Sequence, residues 1–284
     1  MLQWVLHVQN YKLTLDKNKC VGCQICSLAC PKEAVTLQKQ SRNNGQKARR
    51  AKVDMDLSKC NFCGICDITC PYGAIKVTLN GKHALNVIEK ESFPELIRDI
   101  QVNEAKVNSE NSKVKDPCPL GLINITSDAA SGKVKVEVDK EHCPCCTVCE
   151  VKLPSVMHVR KMLNGKMNIC TEKCPDGCTD CLDVCPITGA LYVSEPDKKV
   201  RPNESFCVYC GACKIVCPVD DALEFKRTHI NHTPIHSGAW NKTLERLTSP
   251  VEMTKELKTK GSVKARESVK KRVGLKVDQT CPRK

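Results

Sequence analysis

The chain has 284 residues, of which 23 are Cys and only 4 % are aromatic, so large side chains alone are too few for a conventional core. Its first residues lack the pattern of a secretory signal, and no stretch approaches the roughly 20 apolar residues that span a bilayer. We therefore expect a cytoplasmic chain with no membrane span, in which cysteine binds metal rather than forming disulfides.

A cysteine motif repeats along the chain. The sequence C-x₂-C-x₂-C-x₃-C-P begins at Cys20, Cys60 and Cys207, and a copy lengthened by one residue begins at Cys174. The copies form two pairs. Within each pair the two copies begin roughly 30 to 40 residues apart, as in the two halves of a two-cluster ferredoxin. The four-residue step before the last cysteine predicts a short helical turn, which the following proline ends.

The motif predicts which cysteines share a cluster. Its first three cysteines bind one [4Fe–4S] cluster, and the fourth reaches across to the other. We name each predicted group by its first motif cysteine: the Cys20 group is Cys20, Cys23, Cys26 and Cys70; the Cys60 group is Cys60, Cys63, Cys66 and Cys30; the Cys174 group is Cys174, Cys178, Cys181 and Cys217; the Cys207 group is Cys207, Cys210, Cys213 and Cys185. Zinc is the alternative metal, but zinc ribbons need neither the third cysteine nor the proline.

The middle of the chain carries half of such a pair. Cys143, Cys146 and Cys149 repeat the first three positions, but Leu153 stands in the fourth. Upstream, Cys118 precedes a proline as a fourth cysteine does, without the three before it. The two losses match, so we predict one further group, the Cys143 group: Cys118, Cys143, Cys146 and Cys149.

The fourth ligand of the Cys143 group could instead be Cys170 or Cys145. With Cys118 as the ligand, the chain would hold five [4Fe–4S] clusters, and Cys145, Cys170 and Cys281 would remain. Cys170 ends an apolar run and is predicted to be a buried small residue rather than a ligand. We expect His142 to be structural.

Short apolar runs between the motifs predict strands. They are Ala34–Leu37, Ile75–Leu79, Ala84–Ile88, Met167–Ile169 and Ala190–Val193. Asn80-Gly81 predicts a hairpin between the second and third, Asn164-Gly165 predicts another turn, and the polar insertion 40–52 predicts an extended hairpin tip. The fold class is α+β, with tandem two-[4Fe–4S] ferredoxin-like modules and a C-terminal extension.

We predict that the chain has four parts. Residues 1–95 form the first module, 96–160 a degenerate middle module with one cluster, 161–230 the third module, and 231–284 a docking extension with a basic tail. Within the tail, residues 251–275 could form a partner-bound helix or remain solvated. A [4Fe–4S]²⁺ core with four thiolates carries about −2, so five clusters would reduce the formal +13 to about +3. The charge therefore gives no reason to expect a nucleic-acid partner.

Three runs of sequence carry a family resemblance. Residues 180–191 (DCLDVCPITGAL), 206–213 (FCVYCGAC) and 232–249, which is not a ferredoxin element, resemble the polyferredoxin subunit of archaeal formylmethanofuran dehydrogenase. The resemblance is looser over the N-terminal third, and the chain has fewer cluster motifs than that family.

The resemblance implies a non-catalytic electron-transfer subunit in CO₂ reduction. Its partners would be other subunits of a multi-subunit redox complex, with soluble ferredoxin or another carrier as the electron donor or acceptor. We find no phosphate loop, flavin fingerprint or nucleophile–base pair in the sequence. A polyferredoxin of a hydrogenase or heterodisulfide reductase, or a zinc-stabilised scaffold, are the alternatives. The single middle cluster is expected to bridge the two outer modules.

Overall fold

The structure is a computed structural model that describes residues 2–5, 9–40, 47–108, 110–127 and 134–248. Residues 41–46 of the insertion 40–52, the predicted tail helix over 251–275 and Cys281 lie outside these ranges. Over the described ranges, no helix is long and apolar enough to cross a bilayer.

The first module combines two small antiparallel sheets with three short helices. One sheet has the order β1-β2-β5, and β3 pairs with β4 across the insertion, as a hairpin should. The elements are β1 (Leu2–Val5), β2 (Asn10–Leu15), α1 (Ile25–Ala29), β3 (Val35–Gln38), β4 (Lys52–Met55), α2 (Ile65–Ile68), β5 (Ile75–Leu79) and α3 (Asn86–Glu89). The predicted helical turns are confirmed, because α1 and α2 each end at or just before the motif's last cysteine.

The middle module has the same pairing, with α4 as the one α-helix among its described residues. Its outer strands β6 and β9 are antiparallel partners, and β7 pairs with β8 between them. The elements are β6 (Ile100–Val102), two 3₁₀ turns (Glu104–Lys106 and Asn111–Lys113), β7 (Ile123–Ser127), β8 (Val134–Val138), α4 (Val148–Lys152) and β9 (Met157–Val159). The 3₁₀ turns stand where the outer modules place their first motif helix.

The third module repeats the arrangement and is followed by a longer helix. Strand β10 pairs with β13, and β11 pairs with β12. The elements are β10 (Leu163–Ile169), a 3₁₀ turn (Thr171–Lys173), α5 (Asp180–Val184), β11 (Leu191–Val193), β12 (Val200–Pro202), α6 (Ala212–Val216), β13 (Leu223–Ile230) and α7 (Gly238–Thr248).

Two local predictions are wrong. Residues 84–88 do not form a strand: the Asn80-Gly81 turn exists, but the chain then enters α3, and β5 pairs with β2 instead. Asn164-Gly165 is not a turn between strands but lies inside β10, at an irregularity in its pairing with β13. A Cβ on Gly165 would lie 2.4 Å from the carbonyl oxygen of Lys226, so the glycine permits close strand contact.

The described part of the extension packs onto the chain itself. Helix α7 lies against α1 of the first module and β13 of the third. Its Trp240 is buried, meets the Phe93 ring edge-on at 6.0 Å and donates from Nε1 to Nε2 of His232. One apolar core consequently runs through all three modules and α7. The face of α7 that carries Trp240 is buried against the chain itself. Docking of the extension to a partner therefore remains a prediction.

Candidate iron–sulfur cluster sites

Three cavities are each lined by four cysteines, and each set is a predicted group. The Cys60 group lines one cavity, the Cys207 group a second and the Cys143 group a third. Their other walls are mainly apolar, including Phe62 in the first and Tyr209 and Phe225 in the second. The fourth cysteine comes from the other half of the module in each case, as the cross-over pattern predicts.

The two remaining groups converge in the same way. In the Cys20 group, Cys70 is close enough to Cys20, Cys23 and Cys26 for their charges to interact. In the Cys174 group, Cys217 interacts with Cys174 and Cys181 across the module. The structure therefore places the cysteines of three predicted groups around one cavity each, and it places those of the Cys20 and Cys174 groups close enough for their charges to interact.

A left-handed residue shapes the loop before most motif helices. Gln24, Gly64, Thr147 and Gly211 precede α1, α2, α4 and α6 with φ between 66° and 91°. The lengthened motif differs, since Thr179 before α5 has a φ of −123°. The tight turn wraps three cysteines around one point, and in the lengthened copy the left-handed residue is Gly177, with a φ of 70°, before Cys178.

Backbone amides point at several of the sulfurs. The amides of Ala34 and Ala74 each lie 3.3 Å from Sγ of Cys30 and Cys70, and those of Leu120 and Tyr209 lie 3.4 Å from Sγ of Cys118 and Cys207. Such N–H···S contacts stabilise thiolate and tune the potential of a bound cluster. The amides at Cys30 and Cys70 come from four residues further along the chain, whereas those at Cys118 and Cys207 come from two residues further along.

Burial disfavours the ionised thiolate form of these cysteines. Removal from water, and then the charge of neighbouring cysteines, raises the pKa of Cys26, Cys149 and Cys181 to about 12. Four ionised sulfurs in one apolar cavity need a cationic centre among them. Within the described ranges, no three His, Cys, Asp or Glu side chains are grouped so that they could hold a single metal ion. Four thiols around an apolar cavity fit an iron–sulfur cubane.

The alternatives for the middle group are also placed. Cys145 is completely buried at a φ of 58°, and its thiol hydrogen-bonds Cys143, which lowers the pKa of Cys143. Cys170 is buried at the end of β10. Neither is among the residues lining the Cys143 cavity, whereas Cys118 is. His142 bonds through Nδ1 to Asp139 at 2.6 Å, consistent with a structural role.

The outer modules meet directly. Cys23 of the Cys20 group and Cys210 of the Cys207 group are close enough for their charges to interact. Side chains of the two modules also bond across this contact: Lys39 Nζ donates to the carbonyl oxygen of Cys217 at 2.7 Å, and the amide of Ala48 donates to Asp183 at 3.0 Å.

The middle group lies beside this contact. Arg98 donates to the carbonyl oxygens of Cys70 and Cys143 at 3.0 and 3.2 Å, and so links the Cys20 and Cys143 groups. Lys161 Nζ donates to the carbonyl oxygen of Cys207 at 3.1 Å and interacts electrostatically with Cys146, which links the Cys143 and Cys207 groups. Three cysteine groups therefore adjoin one another around a common junction.

Four residues at this junction were missed by the sequence reasoning: Arg98, Lys161, Arg227 and Tyr72. Arg227 had a usable signal, because the alternation of β13 places it on the same buried face as Leu223 and Phe225. A charged residue at an inward position of a strand indicates a buried partner or function.

Comparisons with known proteins agree with this geometry. A family model for the 4Fe-4S dicluster domain matches residues 19–74 and 173–220. The polyferredoxin-like subunit of an aliphatic sulfonate oxidoreductase from Pyrococcus furiosus is 30 % identical over 105 residues, which are 32 % of this chain and 58 % of the relative. Formate hydrogenlyase subunit 2 of Escherichia coli is 36 % identical over 104 residues, 32 % of this chain and 47 % of the relative. The matched region thus spans about half the length of each of these curated relatives.

A solved structure matches over most of the chain. It belongs to the formate dehydrogenase–heterodisulfide reductase–formylmethanofuran dehydrogenase complex of Methanospirillum hungatei, with a TM-score of 0.75, 27 % identity and 87 % of both chains covered. The chain therefore contains two regions that match 4Fe-4S dicluster domains, and it is similar to polyferredoxin-like and other subunits of oxidoreductase complexes. The Cys143 group lies outside both matched ranges.

Proposed function

We propose that the chain is the electron-transfer subunit of a formylmethanofuran dehydrogenase complex and holds five [4Fe–4S] clusters. The observation that carries the proposal is the likeness, over 87 % of the chain, to a chain of a complex that contains this dehydrogenase. The resemblance of residues 232–249 to the same family adds to it. The chain's partners would be the other subunits of the complex, and soluble ferredoxin or another carrier would exchange electrons with it. A cytoplasmic location suits thiols that must stay reduced.

The proposed ligands are the twenty cysteines of the five groups. Each bound cluster would accept and release electrons, while the chain fixes its position, excludes water and supplies amide donors to its sulfurs. Because Cys23 and Cys210 are close enough for their charges to interact, electrons would have a direct route between the outer modules. The Cys143 group would then be a third cluster site at the junction. The bridging role between the outer modules that the sequence suggested would not be needed.

Metal analysis tests the cluster count. Anaerobically purified chain should contain about 20 iron and about 20 sulfide, which is four of each per cubane. About 16 of each would show that the Cys143 group is empty. Zinc in place of iron would overturn the electron-transfer assignment and favour the zinc-stabilised scaffold.

Co-purification tests the complex. The chain should be recovered with the pterin-containing subunit that reduces CO₂. A second assignment, to a hydrogenase or heterodisulfide reductase complex, is favoured by the formate hydrogenlyase relative and by the heterodisulfide reductase in the solved complex. Recovery with hydrogenase or heterodisulfide reductase subunits alone would replace the first assignment by the second.

A further inference from the structure

Arg227 is a cation buried between two cysteine groups. Only 1 % of its surface is exposed, and its guanidinium donates to the carbonyl oxygens of Tyr209 and Cys210 at 2.8 Å and of Leu247 at 3.0 Å. Its guanidinium carbon lies 4.9 Å from the centre of the Phe225 ring. In the described part of the chain it forms no ion pair with a carboxylate.

A buried charge needs a counter-charge, and the cysteines supply it. Arg227 interacts electrostatically with Cys23 of the Cys20 group and with Cys210 and Cys207 of the Cys207 group. A guanidinium stays protonated in proteins, so this is a permanent positive charge. Burying it without an opposite charge would be strongly unfavourable. Two anionic clusters on either side would compensate it.

Tyr72 provides a hydrogen-bond donor at the same place. Its hydroxyl is fully buried and has no well-formed hydrogen bond to any described residue, yet it interacts with the thiol of Cys210. The charges of Cys23 and Cys185 also act on it. An unsatisfied buried hydroxyl is unfavourable, and a cluster-bound thiolate at Cys210 would accept its proton in a hydrogen bond.

We propose that Arg227 and Tyr72 raise the reduction potential of the cluster held by the Cys207 group, so that electrons collect there before they leave the junction. This inference rests on the proposed function. Reduction adds one negative charge to a cluster, and a buried cation and a fixed donor stabilise that added charge. Each transfer reduces this cluster by one electron and oxidises a neighbouring cluster by one, with no proton required.

Other charges near the two sites agree with this order. Lys161 adds a second, half-buried cation beside Cys207, while Glu204 opposes it in part. The Cys60 group has the carboxylate of Asp67, which pairs with His83 at 2.9 Å, acting on Cys66. Its cluster should therefore have a lower potential than that of the Cys207 group.

Redox titration of the whole cluster-loaded chain, followed by electron paramagnetic resonance, tests the proposal. Tyr72→Phe removes one oxygen and should move one midpoint potential to a more negative value. The expected change is about tenfold in the ratio of reduced to oxidised cluster, which corresponds to about 59 mV for one electron. Arg227→Gln should move the same midpoint further and shift one neighbour, whereas Arg227→Lys should retain most of the wild-type value.

Controls separate tuning from general damage. Tyr192→Phe changes an exposed tyrosine of the third module, which contains the Cys207 group, and should move no midpoint potential. An unchanged set of midpoints in Tyr72→Phe with about 20 iron per chain overturns the proposal, and so does an equal shift of every midpoint. If Arg227→Gln loses iron, Tyr72→Phe and Arg227→Lys decide the outcome. Wild-type chain that lacks iron would instead contradict the proposed function.

Discussion

The outer modules and the middle module share one arrangement of strands, a common scaffold, but they differ in the number of cysteine groups and in the packing that stabilises it. In each, one antiparallel strand pair, which is β2–β5, β6–β9 or β10–β13, encloses a second strand pair along the chain. The outer modules surround that scaffold with two cysteine groups, while the middle module has one group and one motif helix. Leu153, which stands where a fourth cysteine would be, is completely buried in the common core. The scaffold thus persists with one cluster site fewer because apolar packing fills that place.

The largest difference should appear when an outer-module ligand is lost. Cys63→Ser removes a lining residue of the Cys60 cavity, in a module whose core packs around two cysteine groups. We expect about four fewer iron atoms per chain and a lower melting temperature, because cluster binding and folding are linked. Leu57→Ser, at an exposed position nearby, is the control and should retain the wild-type iron content.

A ligand change in the middle module should have a smaller effect on folding. Cys118→Ser should also remove about four iron atoms, but the β6–β9 and β7–β8 pairs should remain folded on the core. Circular dichroism and iron analysis of the same samples measure both effects. Cys145→Ser is the matched control, and a loss of iron there with none in Cys118→Ser would reassign the fourth ligand to Cys145.

Packing at the position of the missing cysteine can be tested without touching a ligand. Leu153→Ala should destabilise the chain by about 2 to 5 kcal/mol, because it creates a cavity in the core. Val151→Ala, in the same helix α4 but 66 % exposed, should change stability by less than about 0.5 kcal/mol. Equal melting temperatures for the two variants would contradict the packing role of Leu153.

The smallest effect concerns the loop before α6. Gly211 has a φ of 91°, and a Cβ there would lie 2.6 Å from Cζ of Phe225. Gly211→Ala should cost about 1 to 3 kcal/mol, since both the backbone and the ring must adjust. Gly177→Ala, with a φ of 70° and open space around it, bears the backbone cost alone. A larger loss of melting temperature in Gly177→Ala would show that the contact with Phe225 is unimportant.

Local spacing made much of this protein predictable. Cysteines three residues apart face one point because a short loop and one helical turn connect them, so the motif alone indicates the groups and the helices α1, α2, α5 and α6. The strand β5 was predicted with its observed bounds for the same reason, since apolar alternation is local. The prediction of a strand over residues 84–88 was wrong, because Asn86–Glu89 form α3 and the partner of β5 is β2, a distant segment.

What the sequence by itself determined is the motif chemistry: the type of cluster, the cysteines available and the repeated module. Only the tertiary structure decided that Cys23 faces Cys210, that Arg227 and Tyr72 lie between them, and that α7 packs across two modules. The physical reason is the distance along the sequence over which each constraint acts. Ligand spacing acts over a few residues, whereas these contacts join segments more than 100 residues apart, and their positions follow from how the three modules share one core.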